Sequence, residues 1–70
     1  MGTNQRYSSR LRNKRRVNRV LTHLKDASLL LYEMVKEYEG KHDRIEAACK
    51  SSAVVLDIIY TSVENIQAEI

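Results

Sequence analysis

The sequence has no proline, tryptophan or phenylalanine, and only two glycines and one cysteine among its 70 residues. Sheets need turns, and turns depend on glycine, proline and similar residues, so this scarcity favours helices over strands. The single cysteine, Cys49, cannot form a disulfide within the chain. Because no disulfide or Cys/His metal array is available, we expect so short a chain to gain stability by oligomerising. The composition therefore predicts an all-α protein that associates with itself.

Long apolar runs are also missing. The best candidate, Ala53–Tyr60, is interrupted by Asp57 and is far shorter than the ~20 residues that span a bilayer. The first half offers no uninterrupted apolar run after its basic start, as a secretory leader would. We therefore expect a cytoplasmic protein, or one in an equivalent reducing compartment, without a membrane partner.

One glycine interrupts the helical pattern in the interior of the chain. Gly40 lies where the apolar period of the first half ends, and glycine suits the left-handed position just past a helix C-terminus. Three residues later, Asp43 and Glu46 have the spacing of an N-cap and its capping-box partner. These signals predict that one helix ends near Glu39 and that a second begins near Arg44.

The predicted organisation is a polar, flexible arm over residues 1–9, followed by a helical hairpin over residues 10–70. Within the hairpin we expect a helix over about 10–39, a turn at 40–43 and a helix over about 44–69. Because the turn is short, the two helices must lie antiparallel.

Apolar and small residues recur at alternating steps of four and three, which is the pattern of a heptad seam. The seam predicted for the first helix comprises Val17, Leu21, Leu24, Ser28, Leu31, Val35 and Tyr38. The seam predicted for the second comprises Ile45, Cys49, Ser52, Leu56, Ile59, Val63, Ile66 and Ile70. Folding at the glycine brings Ser28 near Leu56, so that the small residues of one helix meet large residues of the other.

Further apolar residues lie off or beside these seams and would be exposed in a lone hairpin. They are Leu29, Leu30, Met34, Val54, Val55 and Ile58. Contiguous exposed apolar surface usually marks an interface. We therefore predict that two hairpins pair into a four-helix bundle, with these six residues at the interface of the dimer or of another partner. The sequence leaves open whether the hairpins pair parallel or antiparallel.

The net charge of +3 is unevenly distributed. Residues 1–25 carry eight basic residues and no acid, whereas residues 26–70 carry four bases and nine acids. Arginine-rich helices bind phosphate backbones, because neutralising the charge releases counterions and because guanidinium groups bind phosphate in a bidentate manner. The candidate contacts are Arg6, Arg10, Arg12, Lys14, Arg15, Arg16, Arg19 and His23. An acidic protein surface is the other partner that such a segment would suit.

No combination of residues predicts catalysis or a cofactor. No nucleophilic triad, phosphate-binding loop or pair of catalytic carboxylates can be assembled, and we expect no small-molecule substrate. His42, Asp43 and Glu46 lie together, but helix capping accounts for the two acids and a metal would need further ligands. Cys49 falls on the seam, where a cysteine behaves as a small hydrophobe.

Two functional hypotheses follow. The first is a small non-enzymatic regulator, a hairpin homodimer that binds nucleic acid through its arginine-rich N-terminal segment. The alternative is an adaptor or inhibitor, of phage or small-regulator type, that acts on one target protein through its apolar helix surface or its basic arm.

Overall fold

The structure is a computed structural model, which describes the backbone of residues 2–70 and the side chains of residues 9–70. Two helices make up this part of the chain, with no strand: α1 spans Gly2–Tyr38 and α2 spans Asp43–Glu69. They pack side by side, and the Cα atoms extend over 60 × 15 × 12 Å. The predicted all-helical hairpin is confirmed. α1 begins at Gly2, ahead of the predicted start near residue 10, and Met1 of the predicted arm lies outside the described residues.

Gly40 forms the hinge as predicted. Its φ of +71° lies in the left-handed region that glycine tolerates best. The amides of Lys41 and His42 both donate to the carbonyl oxygen of Tyr38, which satisfies the last turn of α1. The chain thereby reverses within four residues, 39–42, and the helices run antiparallel.

The start of α2 differs from the expected capping box. The N-cap is His42, with extended backbone angles, and its Nδ1 accepts a hydrogen bond from the amide of Ile45 at 3.2 Å. Asp43, predicted as the cap, is instead the first residue of the helix. Asp43 and Glu46 in the first turn complement the positive end of the helix dipole. The imidazole reaches the third amide of the helix, so the aspartate is not needed as a cap.

The helix interface is described most simply in heptads, with position a at Val17 in α1 and at Cys49 in α2. In α1, the residues at positions a and e from Val17 to Tyr38 are all buried or half-buried, which confirms the predicted seam. In α2 the same two positions face α1. The half-buried and buried residues at these positions, counted to the end of the chain, are Glu46, Cys49, Ala53, Leu56, Tyr60, Val63 and Ile70.

The seam predicted for α2 was therefore wrong at three of its four d positions, since of these Ile45 alone is half-buried. Ser52, Ile59 and Ile66 are exposed, whereas Ala53 is fully buried and Tyr60 is half-buried. Positions d and e flank position a on opposite sides, and α2 has apolar side chains at both. With position e turned to α1, position b lies at the edge of the interface, where Asp57 accepts hydrogen bonds from α1.

Four side-chain hydrogen bonds between the two arms of the hairpin fix their register, and one of them joins Tyr32 to Asp57. Ser28 Oγ donates to Asp57 Oδ1 at 3.2 Å, and Gln67 Nε2 donates to Asn18 Oδ1 at 2.6 Å. Nearer the open end of the hairpin, Arg10 Nε donates to the carbonyl oxygen of Ile70. Ser28 was predicted to lie near Leu56, and it bonds to Asp57, the next residue along α2.

Candidate nucleic-acid interface

The basic segment, Arg10–Arg19, forms part of α1 at the open end of the hairpin. Its six basic side chains are all exposed: Arg10, Arg12, Lys14, Arg15, Arg16 and Arg19. At 1.5 Å of rise per residue, they lie along about 14 Å of helix. His23, the remaining candidate with a described side chain, is also exposed and lies one turn further on. The side chain of Arg6 lies outside the described residues.

Four of the arginines share the outward side of α1. Their spacing of i, i+3, i+4 and i+7 places them on one helix face, and they are Arg12, Arg15, Arg16 and Arg19. A shallow groove of about 320 Å³ adjoins this face, lined by Asn18, Arg19, Thr22 and His23. The face therefore combines guanidinium groups with uncharged hydrogen-bonding groups.

The acids of this chain do not neutralise the basic segment. Within residues 9–70, one ion pair forms, between Lys50 and Glu46 at 3.2 Å. It lies near the start of α2, far from the basic segment. The contacts made by the segment involve no acidic side chain: Arg16 donates to Asn13 Oδ1 at 3.2 Å, and Arg10 donates to the main-chain oxygen of Ile70. The guanidinium groups of Arg12, Arg15 and Arg19 make no hydrogen bond in the part of the chain described. These charges remain available to an external anion.

The six apolar residues predicted at an interface are also exposed. Ile58 and Leu30 are the most exposed, at 65% and 61%, and the others are Leu29, Met34, Val54 and Val55. Val20, which was not among the predicted interface residues, is exposed as well, and so are Ile59 and Ile66, which were predicted on the hairpin seam.

A polar cluster at the centre of the hairpin joins the two helices. Tyr32 Oη donates to Asp57 Oδ2 at 3.0 Å, and Ser28 donates to the other oxygen of the same carboxylate. The hydrogen bond to Asp57 and the negative charge of Asp57 raise the pKa of Tyr32 above its usual value of 10.0, since both favour the neutral phenol. The cluster borders an open cleft of about 300 Å³, lined mostly by apolar side chains. With both carboxylate oxygens already bonded, the cluster acts as a polar tie between the helices.

The other residues considered for chemistry have structural partners. His42 Nδ1 is occupied by the amide of Ile45, and Glu46 pairs with Lys50. Over the described residues, no three histidine, cysteine or acidic side chains lie close enough to hold a metal ion together. Cys49 is buried and reduced, as its place on the seam predicted. Neither described helix contains a stretch apolar enough and long enough to cross a bilayer.

Comparison with known proteins adds no relative: no protein-family model, curated protein or solved structure matches the chain. Inference about its function therefore depends on its own residues.

Proposed function

We propose that the chain is a small, non-enzymatic regulatory protein of the cytoplasm that binds nucleic acid as a hairpin homodimer. The arginines of the basic segment contact phosphates, and the hairpin body provides the dimer. One observation carries the proposal: the six positive side chains of the basic segment are exposed on one stretch of helix and form no ion pair within the described part of the chain.

Electrostatics supports this proposal over self-neutralisation of the basic segment. Had it served only to dock α1 on the acidic body, its side chains would meet carboxylates of α2. They meet a main-chain carbonyl and an asparagine instead. An arginine in water keeps its hydration and its counterions, and a phosphate backbone that replaces them gains the entropy of the released ions. The same exposed guanidinium groups can bind phosphate oxygens in a bidentate manner.

Binding of the purified chain to labelled nucleic acids at increasing salt tests the proposal. We expect a mixed-sequence duplex or a structured RNA to bind at low salt. The logarithm of the binding constant should then fall linearly with the logarithm of salt concentration, by about 0.9 for each duplex phosphate neutralised. Absence of binding at low salt, or binding that salt does not weaken, would exclude this function.

The exposed apolar side chains favour a second candidate, an adaptor that docks one target protein. A pull-down from nuclease-treated lysate separates the two candidates. A stoichiometric protein partner that survives nuclease treatment and competes with nucleic acid supports the adaptor.

A further inference from the structure

Both helices leave the same heptad position uncovered. Six residues at position d form what we call the open stripe: Val20, Ala27, Met34, Ser52, Ile59 and Ile66. Its four large members are 41–50% exposed, whereas the a and e positions beside them face the other helix. A helix that faces the core of a four-helix bundle uses positions a and d together with e or g. The hairpin therefore presents an uncovered apolar row beside the seam of each helix, in addition to the more exposed Leu29, Leu30, Val54, Val55 and Ile58 outside the stripe.

The two halves of the open stripe lie on one side of the hairpin. Tyr32 and Asp57, both at position b, meet on the other side of the helix interface. Position d lies across position a from position b on each helix, so the two d rows share the opposite side. A groove of about 380 Å³ runs along this side where the stripe includes Ser52, and Leu31 and Val55 are among its walls.

We infer that a second copy of this chain covers the open stripe, with the two hairpins antiparallel and the two-fold axis crossing α1 at Ala27 and α2 at Ile59. This inference rests on the homodimer of the proposed function and adds the face and the orientation of its subunits. In such a bundle, each Ile59 contacts the partner subunit's Ile59.

The accessible surface of the chain supports a partner of this size. The chain exposes 5805 Å², whereas a compact monomer of 8.1 kDa exposes about 4,500 Å². The excess, roughly 1,300 Å², is within the ~1,000–2,500 Å² that each subunit buries in an obligate homodimer.

The stripe is also symmetric about its own centre. Ser28 bonds to Asp57, so Ala27 and Ile59 lie at nearly the same height on the two helices. Each has one member of the open stripe seven positions before it and one seven positions after it, and the half-buried Asn13 and Ile45 continue position d beyond the stripe. A two-fold axis at that height therefore places each row of the stripe against the same row of the second copy, which runs in the opposite direction. A self-complementary interface requires this arrangement.

Charge and shape favour the antiparallel orientation. A parallel pair would bring two basic segments, each with six positive charges, to the same end of the bundle, where they repel. The antiparallel pair separates them and places Arg16 near the partner subunit's Glu37, since both lie at position g. It also sets the partner subunit's Ile66 opposite Ser52, where the groove can accept a large side chain.

Disulfide cross-linking of single-cysteine variants tests the face and the orientation together. In a Cys49→Ala background, Ile59→Cys should form a disulfide-linked dimer rapidly under mild oxidation. The matched control, Val54→Cys, lies on the same helix, is 53% exposed and is turned away from the open stripe, so it should stay monomeric. Cross-linking of Val54→Cys as fast as that of Ile59→Cys, or a failure of Ile59→Cys to cross-link, would overturn the inference.

Sedimentation keeps the inference independent of the proposed function. The unmodified chain should sediment at twice 8.1 kDa, Ile59→Glu as a helical monomer, and Val54→Glu as a dimer. A monomeric unmodified chain that still binds nucleic acid would refute the dimer and spare the nucleic-acid function. A cross-linked dimer that binds no nucleic acid would support the dimer and refute the nucleic-acid function.

Discussion

The basic segment of α1 and the middle of α2, Ala53–Tyr60, expose opposite kinds of surface. The first presents six positive side chains without a carboxylate partner in the described chain. The second is apolar nearly all round, with Asp57 as its one charged residue, and its most exposed side chain is Ile58. Exposed charge keeps its hydration, whereas a helix that is apolar on every side is typical of a buried environment. The comparison is the basis for the proposal that one hairpin has two different partners, an anion for α1 and an apolar surface for α2.

Removing the arginine face should produce the largest effect. Replacing Arg12, Arg15, Arg16 and Arg19 with glutamine should reduce the salt slope of duplex binding by about 3 to 4 for each chain in the complex. At ~0.7 kcal/mol for each exposed ion pair, the affinity should fall about a hundredfold for each chain bound. Fluorescence anisotropy at several salt concentrations measures both quantities.

The control for this variant removes the same charge elsewhere. Lys36, Lys41, Arg44 and Lys50 are the basic residues outside the N-terminal region. Replacing all four with glutamine changes the net charge equally and should leave most of the salt slope. Equal losses in the two variants would show that net charge, and not the basic segment, drives binding.

Enlarging the most buried side chain of α2 should have the next largest effect. Ala53 has no exposed surface where the helices meet, so Ala53→Leu must push them apart. Overpacking of this kind costs about 1–3 kcal/mol in the free energy of unfolding. Urea denaturation followed by circular dichroism measures the loss. Ala47→Leu, at an exposed position of the same helix, should change stability little, and equal losses would contradict the seam described here.

The hinge glycine should contribute less. A Cβ at Gly40 would meet no atom within 4 Å, so the cost of Gly40→Ala arises from its φ of +71° alone. We expect a loss of about 1 kcal/mol in the free energy of unfolding. Gly40→Asn should lose less, because asparagine tolerates the left-handed region. The same denaturation experiment measures both variants, and alanine as stable as glycine would argue against this hinge conformation.

The smallest effect concerns the polar tie between the helices. Because folding raises the pKa of Tyr32 above 10.0, the tie stabilises the fold below pH 10. That stabilisation is lost as the pH rises through the higher pKa of the folded state. Asp57→Asn removes the charge, so the pKa of Tyr32 should move down towards its usual value in an NMR-monitored titration. Glu64→Gln, which removes a charge seven residues along α2, should leave it in place, and the reverse outcome would assign the shift to another group.

How far the sequence predicted this structure differs between the two helices. In α1, small or apolar residues recur on one seam and arginines dominate the outward face, so the pattern gave both the buried side and the exposed charge. The same reasoning failed at Ser52 and Ile59 because α2 is apolar on both sides of position a. The rotation of α2 depends on contacts with the other helix, namely the hydrogen bonds of Asp57 with Ser28 and Tyr32. Sequence spacing within one helix carries no information about them.

Light-scattering mass measurement of the complex with a short duplex tests the central claim most directly. In the antiparallel dimer the basic segments lie at opposite ends of the bundle, so a duplex of about 12 base pairs, ~40 Å long, matches the ~40 Å of α2. The account predicts a saturated complex that contains two protein chains per duplex at moderate salt. A complex with one chain, or no complex at any salt concentration, would contradict it.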